Sequence, residues 1–190
     1  MDKAKRPKIL IGVTGATGML FLSGFLECLK DIDVTVHGIC SDSGADVLKM
    51  ELGIGYQQLP VFSKWFDVRD VGASPASGSA DYKSMVVLPC TMGSLAAIAS
   101  GLTINLIHRA ADVMLKERRT LVLAVRETPL NRTHLQNMLT VHDAGAVICP
   151  PMPSFYLKPK SLEEAARTYA WRLADQLGIE IKERKRWENG

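Results

Sequence analysis

Residues 105–130 read NLIHRAADVMLKERRTLVLAVRETPL, and the hydrophobic period of this stretch changes halfway along it. In the first half, apolar residues recur three and four positions apart with no Gly or Pro between them, which predicts an amphipathic helix. Residues 121–125 are a continuous apolar run, which is typical of a parallel strand buried on both faces. A helix that leads into such a strand indicates an α/β fold.

Two charged side chains, Arg126 and Glu127, directly follow that strand. Open parallel sheets bind ligands beyond the carboxyl ends of their strands. Charged groups that abut an apolar strand risk desolvation unless a ligand or partner meets them. We therefore expect both side chains to be partly buried, and they are the first candidates for a ligand site.

On the preceding helix, Arg109, Asp112 and Lys116 are three and four positions apart and share one face. Taken alone, this strip is interpreted as solvent-exposed. An Asp112 to Lys116 ion pair on it would contribute about a few tenths of a kcal/mol.

The composition predicts one ordinary domain over residues 1–190 and excludes several classes of protein. A net charge of +3 with mixed signs is too small to indicate nucleic-acid binding. The four Cys and four His residues have no metal-ligand spacing, so no metal is expected. No apolar run is long enough for a signal peptide or a membrane span. We expect a reduced, cytoplasmic protein without a membrane anchor.

Upstream, strands and helices alternate, and the turns between them are rich in glycine and hydroxyl groups. A first strand leads into TGATG at residues 14–18 and then into a helix from Met19. This arrangement can bind phosphate, although the two glycines alone could equally form a tight turn. A third strand, at residues 85–88, leads into PCTMGS at residues 89–94 in the same way. Two such turns in one sheet indicate one ligand that bridges them.

The fold class predicted from this alternation is a Rossmann-like, doubly wound and mostly parallel sheet with helices on both faces. Residues 53–83 are the least regular region, and residues 74–79 are interpreted as a mobile loop, either a linker or a lid. His37 is interpreted as a packed histidine inside a strand. The strand ends should bring together Thr17, Ser41, Thr91, Ser94, Arg126 and Tyr156.

Several segments closely resemble the UbiX-type flavin prenyltransferases, in the same order and over nearly the whole chain. They are LPCTMGS at 88–94, RAADVMLKERR at 109–119, RETPL at 126–130, PSFY at 153–156, DQLG at 175–178, TGATG at 14–18, SGS at 77–79 and RW at 186–187. The resemblance implies a Rossmann-like flavoprotein that assembles as a homododecamer. It also implies transfer of a dimethylallyl group from dimethylallyl phosphate to reduced FMN, at N5 and then C6. The prenylated FMN would serve a UbiD-type decarboxylase.

The resemblance also implies roles for individual residues. FMN would be bound by Gly15, Ala16, Thr17, Ser41, Thr91, Met92, Gly93, Ser94 and Arg126. The allylic phosphate would be bound by Tyr156, Arg172, Lys116 and Arg109. Glu127 and Glu51 would transfer protons, and Trp187, from the same subunit or a neighbouring one, would close the site as part of a C-terminal arm at residues 179–190.

The chemistry of this reaction agrees with these residue types. Cationic side chains such as Lys116, Arg126 and Arg172 can stabilise the charge that develops on a leaving phosphate, so no metal is needed. An allylic cation could be stabilised by the ring faces of Tyr156, Tyr169 or Trp187, by up to about 2 kcal/mol each when desolvated. Ring closure at C6 releases a proton, for which Glu127 is the first candidate base and Glu51 the second.

Two departures from the family pattern lie near the expected site. Thr17 stands where serine is common, and Asp42 stands where lysine is common, which could retune phosphate contacts around Ser41.

Three alternatives are weighed against this interpretation. A short-chain dehydrogenase would need a third glycine where Phe21 stands, and a helical Tyr-x-x-x-Lys pair that Pro159 breaks here. A flavin-dependent cysteine decarboxylase would carry an asparagine that residues 89–92 lack. A carrier that binds FMN or prenylated FMN without making it is the alternative that the sequence excludes least.

Overall fold

In this computed structural model, residues 6–182, 184, 185 and 187 are described. Arg186 of the RW motif and part of the predicted C-terminal arm therefore lie outside the described residues. The strands are β1 Lys8–Val13, β2 Thr35–Cys40, β3 Phe62–Phe66, β4 Tyr82–Cys90, β5 Thr120–Val125 and β6 Val147–Ile148. The helices are α1 Met19–Leu29, α2 Asp42–Leu52, α3 Met92–Ala99, α4 Leu106–Lys116, α5 Arg132–Asp143 and α6 Leu162–Gln176.

The six strands form one parallel sheet in the order β3-β2-β1-β4-β5-β6, which confirms the predicted fold class. Alternate residues of β5 enter opposite cores, as the unbroken apolar run predicted. Val122 and Ala124 pack in the core shared with α1 and α6, while Leu121 and Leu123 pack in the core shared with α3 and α4. Both faces of the central strands are therefore covered by helices.

The sequence interpretation missed one strand, β3, and misplaced several boundaries. β3 lies in the region interpreted as irregular and pairs with β2 at the edge of the sheet. α2 begins at Asp42, because the Ser41 hydroxyl caps it. His37 is packed as predicted, with Nδ1 2.7 Å from the Tyr82 hydroxyl.

Residues 74–79 pack against α4, although the sequence suggested a mobile linker or lid. Ser74–Ala76 is a short 3₁₀ helix, and the Arg109 Nε group donates to the Ala76 carbonyl at 3.2 Å. The Arg119 guanidinium donates to the carbonyls of Gly78 and Ala80. Among the described residues, no helix has the length and apolar content that crossing a membrane requires.

Candidate functional site

The strand order reverses between β1 and β4, so their carboxyl ends define the crevice where open α/β sheets bind ligands. Thr14, which is 3% exposed, ties these two ends together. Its hydroxyl donates to the Pro89 carbonyl at 2.7 Å and accepts from the Thr91 backbone N–H at 2.9 Å. The two predicted ligand turns are therefore joined by one buried side chain.

The end of β2 approaches the same crevice closely. The Ser41 N–H donates to the Val13 carbonyl at 3.0 Å. A Cβ atom on Gly15 would lie 2.5 Å from the Cβ of Ser43, so any larger residue at position 15 would force the two loops apart. Close approach, rather than a special backbone angle, therefore explains this glycine.

The N-terminus of α3 is equipped to bind an anion or a polar ligand. The Thr91 side chain accepts from the Ser94 N–H at 3.1 Å and donates to the Ser94 hydroxyl at 3.1 Å. The first turn of α3 contains no acidic residue. Its helix dipole and the N–H groups at Met92 and Gly93 are therefore available to a negatively charged group.

The N-terminus of α1 differs, because the carboxylate of Glu51 already occupies it. The N–H groups of Gly18 and Met19 donate to Glu51 at 3.0 and 2.8 Å. This corrects the expectation that the N-terminus of the helix after residues 14–18 offers unpaired N–H groups to a phosphate. Glu51 lies beside Thr17, which is exposed in the turn.

Arg126 and Glu127 lie at the carboxyl end of β5, next to β4. The Arg126 N–H donates to the Cys90 carbonyl at 3.1 Å, and its side chain is half-buried, as predicted. Glu127 is exposed, so the prediction of partial burial is wrong for it in the single chain. Its carboxylate accepts from the Thr128 N–H at 3.0 Å.

The aromatic candidates separate into two environments. Tyr156 and Trp187 of the same chain meet edge to face, with ring centroids 4.9 Å apart and planes at 79°. Tyr169 is 1% exposed, and its hydroxyl donates to the Cys149 carbonyl at 2.7 Å. Burial raises the pKa of Tyr169. Tyr169 is therefore a core residue, and the suggestion that its ring faces an allylic cation is corrected.

Arg172 lies in α6 and is exposed. Burial raises the pKa of the Cys149 thiol, and the positive charge of Arg172 partly offsets that shift. Cys149 directly follows β6, so the charge of Arg172 acts on the end of that strand, and its phosphate-binding role stays a prediction.

Lys116 lies at the opposite edge of the sheet. α4 begins at the carboxyl edge, where the Leu106 N–H donates to the Val68 carbonyl at 2.8 Å, and it runs back toward the amino ends of the strands. The Lys116 ammonium contacts Glu117 and lies beside Gly78, ahead of β4. The six residues of β5 separate this edge from Arg126 by roughly 20 Å.

The expected ion pair between Asp112 and Lys116 is wrong. Asp112 pairs with Arg109 at 2.7 Å, and Lys116 contacts Glu117. Hydrogen bonding to Lys116 lowers the pKa of the Glu117 carboxyl. One chain therefore gathers the predicted flavin-binding residues but does not bring Lys116 to them.

Asp42, one of the two departures from the family pattern, forms an ion pair with Arg69. Both side chains are largely exposed. A positive charge from another part of the chain is thus placed at the N-terminus of α2.

Sequence reasoning missed His108, which is buried in the first turn of α4. Its Nε2 lies 3.3 Å from the Ser94 hydroxyl. Burial lowers the pKa of His108. The signal available in the sequence was a histidine in the helix, one residue before the polar strip begins at Arg109, and that pattern does not reveal the contact with α3.

Two further features lie apart from this crevice. A cavity of about 730 Å³ between α1 and α6 is lined by Cys28, Arg167 and Trp171, and by residues 181, 182 and 185 of the predicted C-terminal arm. Within the described part of the chain, no group of three or more His, Cys, Asp or Glu residues could hold a metal ion.

Comparison with known proteins identifies close similarities over most of the chain. The family model described as Flavoprotein matches residues 1–166. A probable UbiX-like flavin prenyltransferase from Bacillus subtilis (strain 168) is 45% identical over 181 residues, which are 95% of this chain and 89% of the relative. The mitochondrial flavin prenyltransferase PAD1 from Saccharomyces cerevisiae is 44% identical, over 96% of this chain and 76% of the relative.

Solved structures agree with these sequence similarities. The crystal structure of AnUbiX (PadA1) in complex with FMN and dimethylallyl pyrophosphate superposes with a TM-score of 0.94 at 39% identity, over 98% of this chain and 100% of that one. A dodecameric FMN-dependent Ubix-like decarboxylase from Escherichia coli O157:H7 superposes with a TM-score of 0.91 at 35% identity, over 96% and 100%. The peptidyl-cysteine decarboxylase EpiD is 16% identical with a TM-score of 0.59, which shows a common fold alone.

Proposed function

Because the chain belongs to the UbiX-type flavin prenyltransferase family, we propose that the carboxyl edge of its sheet binds reduced FMN for prenylation by dimethylallyl phosphate. The protein is a flavin prenyltransferase, and prenylated FMN is its product. The observation that carries the assignment of the site is Thr14, whose buried hydroxyl joins the turns after β1 and β4 at the point where ligands bind in this fold.

The residues around this crevice fit a flavin nucleotide. Hydroxyl groups and an acid-free helix N-terminus can bind the polar parts of FMN, and Gly15 lets the backbone of two loops approach closely. The proposed FMN-binding residues remain Gly15, Ala16, Thr17, Ser41, Thr91, Met92, Gly93, Ser94 and Arg126.

The dimethylallyl phosphate subsite requires more than one copy of the chain. Tyr156 follows the carboxyl end of β6 along the chain, and the charge of Arg172 acts on Cys149 at the same strand end. Lys116, near the end of α4, lies at the opposite edge of the sheet. Lys116, together with Arg109 on the same helix, would therefore act from a neighbouring subunit. The dodecameric relative from E. coli O157:H7 supports a homo-oligomer, and we propose a dodecamer for this chain.

In the proposed reaction, the allylic C–O bond breaks and its electron pair leaves with the phosphate. Lys116, Arg126 and Arg172 stabilise this charge through hydrogen bonds from ionised donors. Tyr156 and Trp187, whose rings meet edge to face, would stabilise the five-carbon cation. The five-carbon fragment bonds to N5, which loses its proton. The double bond of this adduct then takes up a proton, and the tertiary cation that results bonds to C6, whose proton Glu127 accepts. Glu51, which is bound to the N-terminus of α1 beside Thr17, is the second proton-transfer group.

The product would leave for a UbiD-type decarboxylase. We propose that this transfer takes place in the cytoplasm. The carrier alternative predicts that no prenyl group is transferred, since a carrier would bind the same flavin and release it unchanged.

The test is anaerobic incubation with reduced FMN and dimethylallyl phosphate, followed by mass spectrometry of the flavin. We expect the mass of one added five-carbon unit less the displaced hydrogen. Flavin that stays bound but gains no mass would identify a carrier instead.

Glu127→Gln tests the proposed base. We expect the variant to retain FMN affinity but to stall before ring closure, because the C6 proton has no acceptor. Glu163→Gln, at an exposed position in the first turn of α6, is the matched control and should keep wild-type turnover. Wild-type turnover in Glu127→Gln would remove Glu127 from the mechanism.

A further inference from the structure

His108 is a buried polar side chain that the proposed mechanism leaves without a role. The residue is 7% exposed and lies in the first turn of α4, where its N–H donates to the Asn105 side chain at 3.0 Å. Its Nε2 atom lies 3.3 Å from the Ser94 hydroxyl. Its Nδ1 atom is buried and has no hydrogen-bond partner among the described residues.

The hydrogen bonds around Ser94 favour one tautomer of this imidazole. If the Ser94 hydroxyl donated to Nε2, the proton would be on Nδ1, leaving a buried N–H without an acceptor. If Nε2 carries the proton, it donates to Ser94, and Nδ1 is left as an unpaired acceptor. Buried donors without a partner are rarer in proteins than under-satisfied acceptors, so the second arrangement is preferred.

This tautomer determines where the hydrogen of the Ser94 hydroxyl points. The Ser94 oxygen then accepts from both Thr91 and His108, which uses both of its lone pairs. Its own hydrogen must therefore point away from both residues. Ser94 is 8% exposed and lies in the first turn of α3, at the carboxyl end of β4, where ligands bind in this fold.

We propose that His108 is a positioning residue that makes the Ser94 hydroxyl a hydrogen-bond donor to FMN. The proposal rests on the proposed function, because it requires Ser94 to contact the flavin nucleotide. His108 itself touches neither FMN nor the reacting atoms, and it acts through the hydrogen bond from Nε2 to Ser94.

A merely structural role for His108 would have a different signature. The unpaired Nδ1 atom carries a desolvation penalty in the folded protein, which an apolar residue of similar size would remove. His108→Leu should therefore leave the unfolding temperature of the protein without FMN unchanged or raised, while FMN affinity falls. Replacement of a residue that only supports the fold would lower the unfolding temperature and the FMN affinity together.

The experiment measures the Kd of oxidised FMN by quenching of flavin fluorescence, and the unfolding temperature without FMN, for four variants in the full chain. We expect the Kd to rise about five- to tenfold in Ser94→Ala and in His108→Leu, as for loss of one neutral hydrogen bond. The double variant should be no weaker than Ser94→Ala alone, because both changes remove the same contact. His108→Gln can place an amide N–H near the position of Nε2 and should restore most of the affinity.

The outcomes separate the inference from the site assignment. An unchanged Kd in Ser94→Ala would overturn the role of Ser94 in FMN binding and this inference with it. A weaker Ser94→Ala together with an unchanged His108→Leu would overturn the inference alone. Additive losses of FMN affinity in the double variant would also overturn the inference alone. The same holds if His108→Leu lowers the unfolding temperature and the FMN affinity together.

Discussion

The two edges of the sheet are built differently, although both contain predicted site residues. At the carboxyl edge, Thr14 and the N–H groups of Ser41 and Arg126 fix the strand ends by short hydrogen bonds in a largely buried setting. At the amino edge, Lys116 is 46% exposed and contacts its neighbour Glu117. One chain thus preorganises the part of the site that is proposed to bind the flavin. Lys116, which is proposed to bind the phosphate, lies at the other edge of the sheet.

This difference indicates that the two substrates depend on different levels of structure. FMN binding should be a property of the folded chain, because its proposed contacts lie within one set of strand ends. Prenyl transfer should require assembly, because Lys116 can reach a carboxyl edge only in another copy.

The largest expected effect concerns Lys116. Lys116→Met should lower kcat/KM for dimethylallyl phosphate by about 10²- to 10³-fold, as for removal of one group that stabilises developing charge, and should leave the Kd of FMN unchanged. Lys83→Met, an exposed lysine at the start of β4, is the matched control. Loss of FMN affinity in Lys116→Met would contradict the proposal that FMN binding and phosphate binding depend on residues at different edges of the sheet.

Mixing two inactive variants sharpens the same comparison. Subunits carrying Lys116→Met and subunits carrying Arg126→Met are unfolded and reassembled together. If each site takes Lys116 from one copy and Arg126 from another, about a quarter of the sites contain both wild-type residues. Activity recovered in the mixture would support shared sites, and no recovery would place both residues in the same copy.

Gly15→Ala should have the next largest effect, and it should act at the carboxyl edge of the sheet, where FMN is proposed to bind. The added Cβ would lie 2.5 Å from Ser43, so the loops after β1 and β2 must separate. We expect a loss of about 1–3 kcal/mol in unfolding free energy, together with weaker FMN binding. Gly72→Ala is the control, since its Cβ meets only the Asp70 carboxylate at 3.4 Å. Equal stability of the two variants in urea would contradict the close approach.

Thr14→Val should have a smaller effect at the same edge. The isosteric change removes the hydrogen bond to Pro89 and leaves the Thr91 N–H without its acceptor, for a cost of about 1–3 kcal/mol. Thr140→Val removes a comparable side-chain hydrogen bond on exposed α5, where water can replace it. Urea titration of both variants should rank Thr14→Val as clearly less stable.

The smallest expected effect is on the pH dependence of stability. Burial lowers the pKa of His108, so the unfolded chain takes up a proton near pH 6.5 that the folded chain takes up only at lower pH. The contribution of neutral His108 to the unfolding free energy is therefore fully present above pH 6.5 and is lost as the pH falls below that value. His108→Gln should flatten unfolding free energy between pH 7.5 and 5.5, while exposed His142→Gln should not.

Much of the fold could be predicted because hydrophobic period is a local property. The helix and strand in residues 105–130 were both predicted, and the strand was located to within one residue, since neither period is interrupted. β3 was missed because Phe62–Phe66 is an edge strand with exposed residues at its centre, and it follows a turn in which Val61 has a φ of 66°. Edge strands lack the continuous apolar run that identified the central ones.

The site was harder to predict, because it depends on which end of an element a residue occupies. Motif matching placed Lys116 with Arg126, although a helix that precedes a parallel strand ends at the amino edge. Tyr169 and Tyr156 looked alike in sequence, but only Tyr169 enters the core. The contact between His108 and Ser94 is formed by two helices packing together, so no local pattern could reveal it.

The pairing of Tyr156 with Trp187 also has an optical consequence. Of the three tryptophans, Trp65 is packed among aromatic rings and Trp171 is half-buried, whereas Trp187 is 69% exposed. An indole in water emits at longer wavelengths than a shielded one, where oxidised flavin absorbs. If this long-wavelength emission of Trp187 falls as FMN is titrated in, its intensity reports the fraction of FMN sites that are filled.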